Sequence, residues 1–111
     1  MTDNSFHEYV MHDLFCDAPG VTSRAMFGGW ALYKNWIIFG IIVDGELYFK
    51  VDDKNRTKYE RLESRPFVYR KSAGKPVTMP YWLVSAEVME DKEKLYDYMK
   101  ESVSINVKRK P

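Results

Sequence analysis

Hydrophobic residues near the start of the chain recur at helical spacing. Phe6, Tyr9, Val10, Leu14 and Phe15 fall on one face, which predicts an amphipathic helix. Ser5 followed by Glu8 fits a capping box, in which the serine oxygen accepts a backbone N–H and the glutamate reaches back. The helix is expected from Ser5 to Cys16, closed by Ala18-Pro19-Gly20.

From Val21 to Val51 the period changes to that of extended chain. Val21 to Tyr33, Ile37 to Val43 and Glu46 to Val51 are rich in β-branched and aromatic residues. They are punctuated by Lys34-Asn35 and by Asp44-Gly45, a favoured hairpin pair because both residues tolerate positive φ. A three-stranded antiparallel meander follows from this, with Leu47, Phe49 and Val51 alternating against Glu46, Tyr48 and Lys50. Asp52 and Asp53 cap a charged segment, Lys54 to Leu62, in which Tyr59 and Leu62 point inward.

Pro66 restarts extended structure. Phe67 to Lys71, a turn at Ser72-Ala73-Gly74, and Val77 to Val84 form a second hairpin. Pro80 has no N–H for a ladder, so its strand lies at an edge or carries a bulge. A last helix is expected from near Ser85 to Val103, with Val88, Leu95, Met99 and Val103 on its apolar side. Residues 104–111, ending in Lys108-Arg109-Lys110-Pro111, read as a frayed basic tail. The order is αβββαββα, an α+β class with a mainly antiparallel sheet and flanking helices, in one domain spanning 1–111 with its core at 5–103.

The stretch Ser23 to Trp30, SRAMFGGW, interrupts the first strand. Adjacent glycines followed by strand do not match a dinucleotide fingerprint or a Walker loop, which need spaced glycines opening a helix. Gly28 and Gly29 therefore read as a β-bulge, or as a place where another backbone or a bulky ring packs too closely for a Cβ. Arg24, set among apolar residues, is expected to snorkel or to pair with Asp52, Asp53 or a carboxylate of the last helix.

Composition narrows the class further. The chain has 111 residues, 45% of them apolar, enough for a single core. No apolar run approaches the roughly 20 residues of a membrane helix, and the first 20 residues lack a secretory pattern. Cys16 is the lone cysteine, which excludes an intramolecular disulfide and suits a reducing cytoplasm. The net charge of +1 is unevenly spread: residues 1–20 carry four acids and no Lys or Arg, whereas residues 51–84 carry eight bases and four acids. That balance falls short of a dedicated nucleic-acid binder.

Catalytic chemistry finds no candidate residue. His7 and His12 are five apart and point different ways on a helix, and His12 with Cys16 offers two ligands where a metal site needs more. There is no serine elbow, and a thiol at a helix C-terminus is held protonated by the dipole. The acid pairs Asp52-Asp53 and Glu90-Asp91 are explained by helix capping. No cofactor, metal or enzymatic activity is expected. Arg70, Lys71 and Lys75 flank a hairpin turn beside Tyr69, Tyr81 and Trp82, so rings and cations could share a surface that stacks bases.

Four blocks in order, VTSRAMFGGWALYKN, FGIIVDGELYFKVDD, PFVYRKSAGKPVTMPYW and AEVMEDKEKL, resemble the N-terminal domain of the TfoX (Sxy) family of bacterial competence regulators. The likeness runs from about Gly20 to Tyr98 and is most specific at Arg24 to Gly29 and Tyr48 to Asp52. It implies a small α+β domain similar to the secretion-chaperone-like fold, and it offers no catalytic residues. Full-length members add a C-terminal helical domain and promote competence-gene transcription together with the cyclic-AMP receptor protein; this chain resembles a stand-alone copy without that domain.

The function expected is a non-enzymatic regulatory or adaptor module of the bacterial cytoplasm. It would work through protein partners, among them transcription machinery or a separate regulator, or as a homodimer. Trp30, Trp36 and Trp82 exceed what a small core hides. The candidate surface comprises Arg24, Gly28, Gly29, Lys50, Arg70, Lys71, Lys75, Tyr81 and Trp82. The alternative is direct nucleic-acid binding through the basic hairpin.

Overall fold

A computed structural model describes residues 5–26, 28–69 and 74–108. Six strands form one antiparallel sheet: β1 (Val21–Met26), β2 (Gly29–Lys34), β3 (Ile37–Val43), β4 (Glu46–Lys50), β5 (Pro66–Tyr69) and β6 (Val77–Leu83). Their order across the sheet is β1-β2-β3-β4-β6-β5. The first four follow the chain because two-residue turns link them. Asp44 and Gly45 both adopt positive φ (52° and 72°), as an Asp-Gly hairpin requires. The β2–β3 turn uses Asn35 and Trp36, also at positive φ (50° and 69°), one residue later than the Lys34-Asn35 punctuation.

The helices are α1 (Ser5–Tyr9), α2 (Arg56–Arg61), α3 (Ala86–Met89) and α4 (Lys92–Lys108). The class and element order expected from the sequence hold, with two elements subdivided. The segment read as a single first strand is the β1–β2 hairpin, and Gly28, just before β2, has φ +75°. The last helix is two: Ser85 caps α3, and the Asp91 carboxylate accepts the N–H groups of Glu93 and Lys94 to start α4. A new cap inside the sequence breaks the helix because its oxygen competes for donors that an unbroken helix would use internally. α4 continues through Lys108 instead of ending near Val103, and buried Ile105 gives the extra turn something to pack.

The first helix widens as it ends. Beyond α1, Val10–Leu14 form a π-helical turn in which the Phe15 N–H donates to Val10 O at 3.0 Å. The extra residue per turn brings Val10, Leu14 and Phe15 into the core together. Phe15 meets Phe39 edge-on at 5.6 Å, and Phe39 meets Phe49 at 5.5 Å. Leu95 and Met99 of α4 join the same cluster with Leu32, Leu47 and Tyr59. All the helices that enter this core lie on one face of the sheet, as cross-strand register shows: Ser23, Leu32, Gly40, Phe49, Trp82 and Pro66 form one row across six strands.

Buried Asn55 joins β4 to α2. Its Oδ1 accepts the Asp52 N–H at 2.8 Å and its Nδ2 donates to Lys50 O at 3.2 Å, a carbonyl that also accepts Ser102 Oγ at 2.8 Å. Side chains thus satisfy the backbone where strand pairing stops. Pro80 marks an irregularity and not an edge. β6 is interior, and the β5–β6 register slips between Pro66↔Trp82 and Val68↔Thr78 around it. The edges are β1 and β5.

Candidate interaction surface

The alternate row of the sheet faces away from the helices. Arg24 pairs with Ala31, Ala31 with Ile41, Ile41 with Tyr48, and Tyr48 with Leu83. A second apolar cluster grows on this row from Ile41, Tyr48 and Tyr81, with Val43, Phe67, Met79 and Leu83 packed against them. Every member is a strand residue. A sheet face ordinarily buries its apolar side chains against another layer; among the described residues no helix contributes to this one.

What remains is a groove of about 700 Å³, floored by Ile41, Val43 and Met79 and walled by Met26, Val68 and Tyr69. Met26, Val68 and Tyr69 are each more than a third exposed. The β3 sequence accounts for the two-sided character, since Ile37–Val43 is apolar without alternation. A bulge opposite Leu32/Tyr33 then shifts the parity, so Phe39 and Ile42 both reach the helical core while Ile41 and Val43 face the groove.

Charge frames the groove unevenly. Lys50 Nζ lies 5.1 Å above the Tyr81 ring, and Arg24 is exposed two residues along β1 from Met26. Arg65 is neutralised by Glu46, meeting its two oxygens at 3.0 and 3.1 Å, and Tyr48 OH donates to the same carboxylate at 2.9 Å. Burial, aided by that carboxylate, pushes the Tyr48 hydroxyl above its usual pKa, and burial does the same to Tyr81. Both hydroxyls stay neutral donors at physiological pH. Asp44 stands at the end of the groove.

The structure divides the residues singled out by sequence. Arg24, Lys50 and Tyr81 share the open face. Trp82 does not: it packs toward Tyr59 and the helical core, since neighbours on a strand face opposite ways. Lys75 is exposed just before β6, and Arg70 and Lys71 lie outside the described residues. Gly28 and Gly29 shape the hairpin. A Cβ on Gly29 would collide with Ile42 O, the close backbone approach foreseen as one reason for a glycine there, while the β-bulge is replaced by a turn. Among the described residues Arg24 forms no ion pair with the acids expected, because it lies on the face of the sheet away from the helices; Asp53 instead binds Arg56 at 2.7 Å and Glu101 binds Lys58 at 2.7 Å. Sequence reasoning passed over Met26, Ile41, Val43, Val68 and Met79; the uninterrupted apolar run of β3 was the available signal.

Residues 13–105 match the family model described as the TfoX N-terminal domain. The chain belongs to that family. No curated protein matches it. In this TfoX N-terminal domain the matched region runs from the π-helical turn to the last turns of α4, so it takes in the whole sheet and the open face. Among its described residues no helix is long and apolar enough to cross a membrane, and no three His, Cys, Asp or Glu side chains gather as a metal site. Cys16 is exposed, with Lys92 Nζ 3.3 Å from its sulfur and 3.6 Å from Asp17. His7 stacks flat on Trp30 at 3.6 Å with Nε2 2.8 Å from Ser23 Oγ, and burial lowers its pKa.

Proposed function

We propose that this TfoX N-terminal domain is a non-enzymatic regulatory or adaptor module of the cytoplasm, acting by protein–protein interaction through the open face of its sheet. The observation that carries this is the second apolar cluster, made of strand residues alone and left beside an uncovered groove. Such a contiguous apolar surface on a soluble domain marks a place where another surface docks. The kinship with competence regulators supports a regulatory setting.

A photo-crosslinking residue placed at Val68, on the groove wall, tests the proposal against the same residue at Thr57, exposed on α2. The expected result is a discrete adduct from Val68, absent from Thr57 and lost when Met26→Glu is added. Adducts of equal yield at both positions, or none at Val68, would sink it.

Nucleic-acid binding is the second reading, favoured by Arg24 and Lys50 sharing a face with Tyr69 and Tyr81. It requires affinity for single-stranded DNA that falls steeply with salt as counterions are released. Salt-insensitive or absent binding removes it.

A further inference from the structure

We infer that the occupant of the open face is an extended segment of a partner protein, added as a strand to the β5 edge, with apolar side chains at alternate positions and a basic residue that meets Asp44. This rests on the docking role proposed above and adds the partner's backbone form and charge.

Form follows from the edges of the sheet. β1 and β5 end the strand order, yet Met26 of β1 and Phe67, Val68 and Tyr69 of β5 line one groove, so the sheet is curled enough for both edges to border it. Three consecutive residues of β5 take part against one of β1, and the groove therefore runs along β5. β5 pairs with β6 on one side, and among the described residues no strand pairs with it on the other. Backbone groups turn alternately to the two sides of a strand, which leaves part of this edge open to a further ladder.

Native edges are ordinarily guarded against such pairing by charged side chains or an interrupting proline. β1 has its guard in Arg24. β5, with the sequence PFVY, carries no charge, and its proline stands at the first position, where it interrupts no ladder. Val68 is 39% exposed on this edge, apolar surface that an added strand covers. Four residues of strand extend about 13 Å, so an added segment of about four to six residues sets two or three alternate side chains over Ile41, Val43 and Met79. In recognition of this kind the ladder supplies affinity and the pockets beneath it select the side chains.

Charge sets the remaining requirement. Among the described residues Asp44 is the one charged group lining the groove. It is exposed, and no described Lys, Arg or His pairs with it. The turn does not need its carboxylate, since asparagine accepts the same positive φ. A basic side chain on the incoming segment answers this charge. A nucleic-acid backbone does not, because its phosphates would meet Asp44 with no described cation lining the groove to offset the repulsion.

The test uses the whole chain and three synthetic peptides of about eight residues, each alternating Val with Thr. One is flanked by Lys, one by Glu, and the third is the Lys peptide with its backbone amides N-methylated. Affinity is read by fluorescence anisotropy, and location by cross-strand nuclear Overhauser contacts. The Lys peptide is expected to bind about fivefold or more tightly than the Glu peptide, with backbone contacts to Phe67 and Val68 and shifted signals at Ile41 and Met79. N-methylation should weaken it by about tenfold or more. Asp44→Asn should remove the preference for Lys with the circular dichroism unchanged.

Equal affinity for the Lys and Glu peptides overturns the basic partner, and an N-methylated peptide that binds as well as its parent overturns the added strand; both leave the docking face standing. No binding of any peptide, while the Val68 crosslinker still captures a protein, overturns the inference alone; no binding and no capture sinks the docking role with it. Shifts at the groove produced only by oligothymidine would assign the face to nucleic acid. Self-association through β5 that the Lys peptide cannot displace would assign it to a second copy. Either result overturns the inference.

Discussion

Replacing Gly29 by alanine sets a methyl group against the carbonyl of Ile42 on the neighbouring strand. The new Cβ would lie closer to Ile42 O than the 3.0 Å that such atoms respect, 3.2 Å from Ile42 C and 3.4 Å from Val43 Cα. These are backbone atoms, so no side chain can swing aside. Relief requires β2 and β3 to part by about 1 Å, which stretches local ladder bonds from about 2.9 Å beyond useful length. Losing two such bonds at about 1 kcal/mol each, with buried groups left unpaired, costs about 2–4 kcal/mol. Gly28 makes the contrast. A Cβ there meets nothing within 4 Å, and only its φ of +75° penalises alanine, by about 1–2 kcal/mol. Urea unfolding followed by circular dichroism should rank wild type above Gly28→Ala and Gly28→Ala above Gly29→Ala. At about 4–8 °C per kcal/mol for a domain near this size, the thermal midpoint of Gly29→Ala should fall by about 8–32 °C. A Gly29→Ala protein within about 1 kcal/mol of wild type, or less damaged than Gly28→Ala, would refute the reasoning.

Three further perturbations follow from the same structure. Trp36 is 77% exposed at φ +69°, so Trp36→Gly should raise the thermal midpoint, by about 1 kcal/mol of relieved strain; an unchanged or lower midpoint contradicts the strained turn. Asn55→Ala strips partners from the Asp52 N–H and one partner from Lys50 O and should cost about 2–3 kcal/mol in urea titration, with Asn55→Asp rescuing only the Asp52 contact. Burial, joined by a smaller lowering influence of His12, holds the His7 pKa below 6.5 against a raising influence of Glu8. The unfolded chain therefore binds the extra proton first. Stability is full above about pH 6.5 and declines as pH falls toward the folded value. That decline, followed by Trp30 fluorescence, should be weaker in His7→Gln.

Much of the fold was legible in the chain because local chemistry and tertiary structure agree there. Asp44-Gly45 takes the turn its residues permit, Tyr59 and Leu62 turn inward from an otherwise charged helix, and Asp91 caps where acids precede a helix. The β1–β2 hairpin was missed because the stretch joining its strands sits inside an apolar run with no polar punctuation. Asn35-Trp36 was misplaced by one residue because tryptophan is a poor occupant of positive φ. The candidate surface was the least legible part. Arg24, Lys50 and Tyr81 were found as charges and rings, yet Trp82 was grouped with Tyr81 although adjacent strand residues face opposite sides.

The amino-acid order by itself determined the class, the succession of elements and the absence of any familiar catalytic motif, because periodicity, caps and turn residues act over a few neighbouring positions. Only the tertiary structure decided which face of each strand the helices cover. That depends on cross-strand register and on the β3 bulge, which flips parity midway along an apolar strand. A run such as Ile37–Val43 carries the same hydrophobicity on both sides. Which side stays open is settled by where α4 and the first helix have room to pack.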